Sequence, residues 1–355
     1  MPERIRVGLV GCGRIARVHR GYLQQLQRVE LVGVCDSDAA ARTAFASASG
    51  LRPFGSLDEL LQQGRPDAVH VLTPPASHAG IAIRLLEAGV NVLVEKPLAL
   101  STAEADTVLD AARKSGRWVT VDHNRWFDPV VQEAAGTVAS GRIGDVVGVE
   151  VFQGAEVGEA ATGGATHWSL QLPGGVLHNL ASHPLYLMRR FAGPVSDLHV
   201  VARITGGRTL EEVRLVAMGE RAPASVTMSV RTRPFTNRLA IYGSEATIEV
   251  NLNNMTLVEH RPRRLPKLIG KVWPNASHAG QLVVATARNT VSFIMGRQRL
   301  YPGIGAHLRL LYDQMAAGAP PPVSAAEARD VVAWYDEILA QAGIRTDVVR
   351  DAVAM

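Results

Sequence analysis

Two different hydrophobic patterns run along this chain, and one gives way to the other near Gly144. The first part opens with Ile5, Val7, Leu9 and Val10, a short β-rich run that stops at Gly11-Cys12-Gly13. From Arg14 the spacing turns helical, with Ile15, Val18, Tyr22 and Leu26 on one side. Further strands are predicted over Glu30 to Cys35, Ala68 to Leu72, Asn91 to Val94 and Trp118 to Val121. Helices are predicted between them: Asp38 to Ser49, one opened by the capping box Ser56-x-x-Glu59, Ser77 to Ala88 stopped by Gly89, and one opened by Ser101-x-x-Glu104. Strands alternating with amphipathic helices predict a parallel doubly wound sheet, in which ligands gather at the carboxyl ends of the strands. Every unusual cluster of this part falls at such an end: the glycine turn, Asp36, Thr73-Pro74-Pro75, Glu95-Lys96-Pro97 and Asp122-His123-Asn124-Arg125.

Beyond Gly144, Val147, Val149 and Val151 alternate as in a strand, followed by a polar, glycine-rich loop from Gly154 to Pro173 and a helix from Val176 to Phe191. Alternating runs then succeed one another without helices: Leu198 to Ile204, Val226 to Val230, Leu239 to Ile241 and Ile248 to Val250. Such succession predicts an open, mostly antiparallel sheet. Its second face carries Ser225, Thr227, Ser229 and Arg231, suited to solvent or to another subunit. Helices return near 280–296, 304–317 and 324–342, the last two parted by Pro320-Pro321-Pro322.

The glycine turn gives the first part its chemistry. Gly11, Gly13 and Ala16 have the spacing G-x-G-x-x-A between a strand and a helix. Gly11 permits the tight turn, Gly13 lets a pyrophosphate approach the backbone, and Ala16 lets helix and strand pack closely. The helix start offers unpaired N–H groups and a positive dipole to phosphates, which makes Arg14 and Ile15 candidate cofactor contacts as well. Asp36 lies twenty residues beyond Ala16, where an adenosine ribose needs a hydroxyl acceptor. A carboxylate there repels the extra phosphate of NADP and favours NAD; Arg14 and Arg42 keep NADP open. The expected fold is therefore α/β. An N-terminal Rossmann domain (1–123) with a doubly wound parallel sheet precedes an α+β substrate-binding and oligomerisation domain (124–355), whose C-terminal helices are free to pack back on the first domain.

Composition narrows the class further. With 355 residues, 47% hydrophobic and 20% charged, the chain matches a soluble globular protein of about two domains. A net charge of +4 with mostly dispersed basic residues does not imply nucleic acid. Cys12 and Cys35 make no disulfide framework and are expected as reduced thiols in the cytoplasm. No signal peptide or membrane-spanning run is expected. One basic cluster stands apart: Arg261, Arg263, Arg264, Lys267 and Lys271, interleaved with Leu265, Leu268, Ile269, Val272 and Trp273. It suits peripheral contact with anionic lipid over 261–273, or a nucleotide-sugar pyrophosphate. The ordinary expectation for such a run is a solvated loop with apolar anchors.

At Glu95-Lys96-Pro97 the pattern becomes specific. Together with the glycine turn, with Thr73, Pro74 and His78, and with Gly174-Gly175 followed by a helix carrying His183, it resembles the Gfo/Idh/MocA family of nucleotide-dependent oxidoreductases over nearly the whole chain. The resemblance implies NAD(P)-dependent hydride transfer at a secondary hydroxyl or keto carbon of a sugar, nucleotide sugar or cyclitol, in a homodimer or homotetramer. By it, Lys96 contacts the substrate oxygen and the nicotinamide ribose, with Glu95 beside it, and the Lys-Pro bond is often cis. A lysine crowded by apolar walls has a lowered pKa and can shuttle a proton. The family usually places an acid four residues before its histidine, where this chain has Asn179; the two share one helix face. An amide can orient a hydroxyl but cannot take its proton, which leaves Lys96 and His183 as catalytic candidates and Asn179 as a substrate positioner. Arg125, Trp126 and Trp168 are further candidate substrate contacts, each also open to a structural reading, and His78 either orients the cofactor or caps its helix. No metal ligands are assigned. Two other functions share these motifs: redox-assisted sugar elimination or hydrolysis with transient NAD reduction, and a dinucleotide-binding regulator without catalysis.

Overall fold

The computed structural model describes residues 4–155, 167–296 and 301–344; residues 156–166 of the expected glycine-rich loop lie outside that set. The chain divides into two compact units, Met1–Asn124 with Gly303–Asp336 and Arg125–Pro302 with Glu337–Met355.

In the first unit, β1 (Ile5–Val10), α1 (Arg14–Leu23), β2 (Val29–Cys35), α2 (Ala39–Ser49), β3 (Pro53–Phe54), α3 (Leu57–Glu59), β4 (Ala68–Val71), α4 (His78–Glu87), β5 (Asn91–Val94), α5 (Thr102–Ser115) and β6 (Val119–Val121) follow in order. The sheet runs β3-β2-β1-β4-β5-β6 with every pairing parallel. That is the Rossmann order, with its switch point between β1 and β4. β4, β5 and β6 are buried along their whole length, which is why their valines and leucines do not alternate with exposed positions; the polar His70, Asn91 and Thr120 among them are buried too. The caps form as expected. Ser56 Oγ accepts from Glu59 N at 3.1 Å while Glu59 accepts from Gly55 N at 2.7 Å, and Ser101 and Glu104 make the same exchange with Leu100 N. Helix α1 ends at Leu23, three residues short of the expected Leu26.

Register decides where the strand tips fall. Val10 pairs with both Cys35 and Val71, Val71 pairs with Val94, and Val94 pairs with Val121. The residues that follow therefore leave the sheet at one level, as a row: Gly11, Asp36, Leu72, Glu95 and Asp122.

The second unit contains α6 (Pro129–Ala139), β7 (Val146–Gly154), α7 (Val176–Ala192), β8 (Val195–Thr205), β9 (Thr209–Gly219), β10 (Pro223–Ser229), β11 (Asn237–Gly243), β12 (Thr247–Asn251), β13 (Thr256–His260) and α8 (Lys267–Ile294). Its sheet runs β13-β12-β11-β7-β10-β9-β8, antiparallel except where β7 meets β10. Helix α7 covers one face, against β7, β10 and β9. The other face leaves Val201, Val216 and Met218 exposed. Ser225 and Thr227 lie half-buried, whereas Ser229 is buried and accepts from Arg231 N at 3.1 Å, so it is not part of an open hydroxyl face. Helix α8 begins thirteen residues before the expected 280. Gly270 and Pro274 hid its first half, since proline in a helix interior lacks the N–H for the carbonyl four residues back.

The chain then rejoins the first unit with α9 (Pro302–Ala316) and the greater part of α10 (Ala325–Gln341). Ile304, Leu308, Leu311 and Tyr312 of α9 complete the core around Val7, Leu9, Ala16 and Leu23. Thr120 Oγ1 donates to Val323 O at 2.8 Å, and Asp336 accepts from Thr102 N and Oγ1 at 2.7 and 2.6 Å. Gly305 is the contact point with α1: a Cβ there would stand 2.4 Å from the Tyr22 ring. Gly305→Ala is expected to destabilise the protein by roughly 1–3 kcal/mol through overpacking. Urea titration checks this, and in a Tyr22→Ala background the same change should be nearly silent.

Candidate active site

The glycine turn is built as its residue types require. Gly11 has φ +104°, and a Cβ would meet Leu72 O at 2.7 Å, so both conformation and space demand glycine. A Cβ on Gly13 would meet nothing within 4 Å, so the backbone at the start of α1 stands open on that side. Gly13 caps α1 without a side-chain hydrogen bond, and no acid occupies the first turn, which leaves that end polarised for an anion. Ala16 is wholly buried at the helix–strand contact. Arg14 is exposed, whereas the Ile15 side chain packs into the core, so only its backbone belongs to the turn. Asp36 faces the turn: Oδ2 accepts from Cys12 N at 2.8 Å and Oδ1 from Asp38 N at 2.9 Å. Each oxygen keeps a second lone pair, which suits a ribose diol. Arg42 donates to the Asp36 carbonyl. Backbone open to a phosphate beside an oriented carboxylate fits a dinucleotide.

Three places along the same row stand Glu95 and Lys96, ahead of a cis Lys96–Pro97 bond. Burial pushes the Glu95 carboxyl up to about 7, with Lys96 pulling it down and Asp122 pushing it further up. Burial lowers the Lys96 ammonium below its ordinary value; Glu95 and Asp122 oppose this, and Arg14 adds to it. His78 sits beneath this pair, fully buried, with Nδ1 2.7 Å from Pro97 O and Nε2 2.8 Å from Thr73 O. It clamps the loops after β4 and β5 together. Both ring nitrogens thus face the protein's own backbone. Thr73 Oγ1 accepts from Ser77 Oγ at 2.7 Å, and Pro74 is exposed.

Behind Glu95 and Lys96 lies a polar network absent from the sequence-based candidates. Asp122, wholly buried, has Oδ1 2.8 Å from His307 Nδ1 and Oδ2 3.4 Å from His19 Nε2. His19 Nδ1 is 3.0 Å from His70 Nδ1, and His70 Nε2 is 2.7 Å from Tyr312 Oη. One set of tautomers satisfies all of these. Burial holds the Tyr312 phenol up and drives His70 well down, so the hydroxyl donates to a neutral His70. His70 Nδ1–H then donates to His19, and His19 presents Nε2–H to Asp122. The reverse assignment would aim a lone pair at a carboxylate. Asp122 is held far below the ordinary carboxylate range, its burial outweighed by His19 and His307. Atoms of His19, Glu95 and Asp122 lie within 4.8 Å of one another, so the network is electrostatically continuous with the pair beside Lys96.

In the second unit, α7 presents its candidates on one strip. Val176, Asn179, Leu180 and His183, at i, i+3, i+4 and i+7, are half-buried, while the rest of 177–188 is covered. His183 Nδ1 is 2.8 Å from Tyr186 Oη, and Tyr186 Oη accepts from Arg125 N at 2.9 Å. The imidazole is thereby oriented by a phenol that is itself fixed by backbone. His178 points elsewhere, buried and 3.1 Å from Pro173 O. Arg125, a candidate substrate contact, turns its guanidinium to Asp128 at 3.3 Å and Leu252 O at 3.4 Å. Trp126 packs edge-on to Phe191, under the Arg190 guanidinium at 4.9 Å. It lines a cavity of about 390 Å³ with Arg189, Arg190 and Arg221, near the far end of α7 from Asn179. Trp168 is half-buried on a single turn (Trp168–Leu170) packed near the start of α7, its ring 5.0 Å from His167.

Comparison with known proteins agrees with this construction. Residues 5–123 match the oxidoreductase family with an NAD-binding Rossmann fold, and residues 131–249 match the GFO/IDH/MocA C-terminal domain. An oxidoreductase of Rhizobium meliloti, ORF334, is 30% identical over 276 residues, covering 73% of this chain and 78% of its own length. The chain belongs to the Gfo/Idh/MocA family. Oxidoreductase P35 of Formosa agariphila, a further relative, is 30% identical over 205 residues, 56% of this chain and 64% of its own length. This Gfo/Idh/MocA chain thus aligns with less than two thirds of that relative. In fold it is similar to the WlbA dehydrogenase of Bordetella pertussis, solved with NADH and UDP-GlcNAcA, with a TM-score of 0.78, 24% identity, and 97% and 96% of the two chains covered.

Proposed function

We propose that this chain is an NAD(P)-dependent dehydrogenase or reductase acting on a CH–OH or keto carbon of a sugar, nucleotide sugar or cyclitol. The observation that carries the reading is the row of strand tips in the first unit. The open glycine turn, the Asp36 carboxylate and Lys96, a lysine of lowered pKa, lie together at the tips of one sheet, which supports phosphate, ribose and proton-handling roles for them. Gly11, Gly13, Arg14 and Asp36 would hold the dinucleotide, with Thr73 and Pro74 shaping its bed. When bound, the nicotinamide supplies the hydride acceptor or donor. Lys96 holds or releases the hydroxyl proton, helped by an ammonium already weakened by burial. In the second unit, Asn179 is proposed to orient a substrate hydroxyl and His183 to relay a proton, its ring steadied by Tyr186. The half-exposed Trp168 is proposed to stack on a sugar ring. The nucleotide sugar bound by the WlbA dehydrogenase supports that substrate class. A cytoplasmic location, which cell fractionation tests, and a homo-oligomer through the exposed sheet face complete the reading. Substituting Val201 and Val216 with serine should lower the assembly mass in sedimentation experiments.

The test is NADH absorbance during incubation with NAD and a panel of nucleotide sugars, free sugars and cyclitols. Net NADH with one of them is expected. Product without net NADH would mean a transient redox cycle instead, and tight coenzyme binding without turnover of any substrate would overturn the reading. Asp36→Ser is expected to move the ratio of kcat/KM for NAD over NADP towards NADP by about tenfold or more, since it removes the repulsion of a 2′-phosphate. An unchanged ratio would detach Asp36 from the ribose.

A further inference from the structure

Helix α8 is built inside out. One side holds it to its own unit. Gln281 accepts from Glu259 N at 2.9 Å and donates to Glu259 O at 3.0 Å, Asn289 donates to Asn254 O and Met255 O at 3.0 and 2.7 Å, and Arg288 pairs with Glu133 at 2.9 Å. Ala285 is the one residue of the helix that is buried. At 100° per residue, the opposite side carries Leu268, Val272, Val283 and Ile294, which are 82, 65, 69 and 76% exposed. A solvent-facing helix ordinarily turns its apolar stripe to the core. Here polar and small residues make the internal contact, and the apolar stripe runs the length of the helix facing out.

Charge identifies what covers it. Residues 260–312 contain nine Lys or Arg and no Asp or Glu. Arg261 pairs with Glu259, a carboxylate it shares with Arg142. Among the described residues, Arg263, Arg264, Lys267 and Lys271 have no carboxylate partner, and Arg263 lies over the Trp273 ring at 4.7 Å. Two copies meeting through this face would bring their cations together without an acid from α8 to offset them. Among the described residues, no helix is long and apolar enough to cross a membrane. An apolar stripe flanked by cations, with a tryptophan at the boundary, matches a helix lying in the interface of an anionic bilayer. Lysine and arginine stems extend such a stripe while their charges reach the phosphates.

We propose that α8, with the basic segment before it, docks this protein onto an anionic lipid surface, the stripe from Leu268 to Ile294 entering the headgroup layer.

The test is flotation of the full-length protein with phosphatidylcholine vesicles, with and without phosphatidylglycerol, at low and high salt. Binding is expected only to the anionic vesicles and should weaken with salt. The combined Arg263→Ser, Arg264→Ser, Lys267→Ser and Lys271→Ser variant should bind about tenfold more weakly or worse. Leu268→Ser with Val272→Ser and Val283→Ser should reduce binding further at high salt. Circular dichroism and coenzyme binding report that both variants are folded. Absence of wild-type binding to anionic vesicles at low salt overturns the proposal. So does an apolar-face variant that binds vesicles normally but sediments as a smaller assembly, because the stripe would then be a contact between copies.

Discussion

Lys96→Met is expected to lower kcat/KM by about 10²- to 10⁴-fold, the usual contribution of a positioned acid or base, with NADH affinity changed only a fewfold. Methionine keeps the length of the stem and removes the ammonium. The fold should tolerate this, because Lys96 pulls the Glu95 carboxyl down; without it that carboxyl rises above about 7 and stays protonated at neutral pH. Lys96→Arg separates two roles. Guanidinium keeps the charge but cannot give up a proton near neutrality. If Lys96 only attracts the substrate oxygen, arginine should restore much of the rate; if it shuttles a proton, arginine should fail nearly as badly as methionine. The pH profile adds a sign. For alcohol oxidation the neutral amine is the active form, so the rate rises with pH through a lysine pKa held below its ordinary value by burial. That limb should vanish in both variants. Near-normal turnover by Lys96→Met would remove the residue from the chemistry.

Sequence periodicity located the row of strand tips because each part of it is local. Gly11, Asp36, Glu95 and Asp122 each follow an apolar run directly, and parallel register does the rest. Asn179 and His183 were equally legible, four residues apart on one helix. The network behind Lys96 was not, because it is assembled from β1's following helix, β4, the tip of β6 and a helix nearly two hundred residues later. His19 falls on the stripe of Ala16 and Leu23, and His307 on that of Ile304, Leu308 and Leu311, so each imidazole sits where a core residue is expected. Only the approach of Asp122 to both distinguishes them. The neighbours of Arg125 and Trp126 were hidden for a similar reason: position after a strand end is visible in sequence, but Asp128, Leu252, Phe191 and Arg190 as their partners are not. In α8 the local signals pointed the wrong way, since Gly270 and Pro274 interrupt a helix that tertiary contacts from Gln281 to Asn289 sustain.

Asp122→Ala is expected to destabilise the protein by roughly 3–5 kcal/mol at neutral pH, the range for removing one partner of a buried charge set. It strips His19 and His307 of their shared acceptor while Lys96 remains nearby. Its pH dependence should also change, on both limbs. The folded pKa of Asp122 lies below its unfolded value near 3.9, so its contribution is present above that value and is lost as pH falls. Glu95 has the opposite sign. Its pKa rises from 4.5 to about 7 on folding, so ionisation opposes the fold and stability declines by roughly 3 kcal/mol as pH climbs through that window. Asp122 is one of the groups pushing Glu95 up. Without it the Glu95 pKa falls back, and the decline towards neutral pH shrinks together with the loss in acid. Glu95→Gln should abolish the decline towards neutral pH and keep the acid loss. Urea titrations of the wild type and both variants from strongly acidic to neutral pH distinguish these shapes. If Asp122→Ala lost the acid limb but kept the full wild-type decline towards neutral pH, Asp122 and Glu95 would be independent groups rather than parts of one buried charge network holding Lys96.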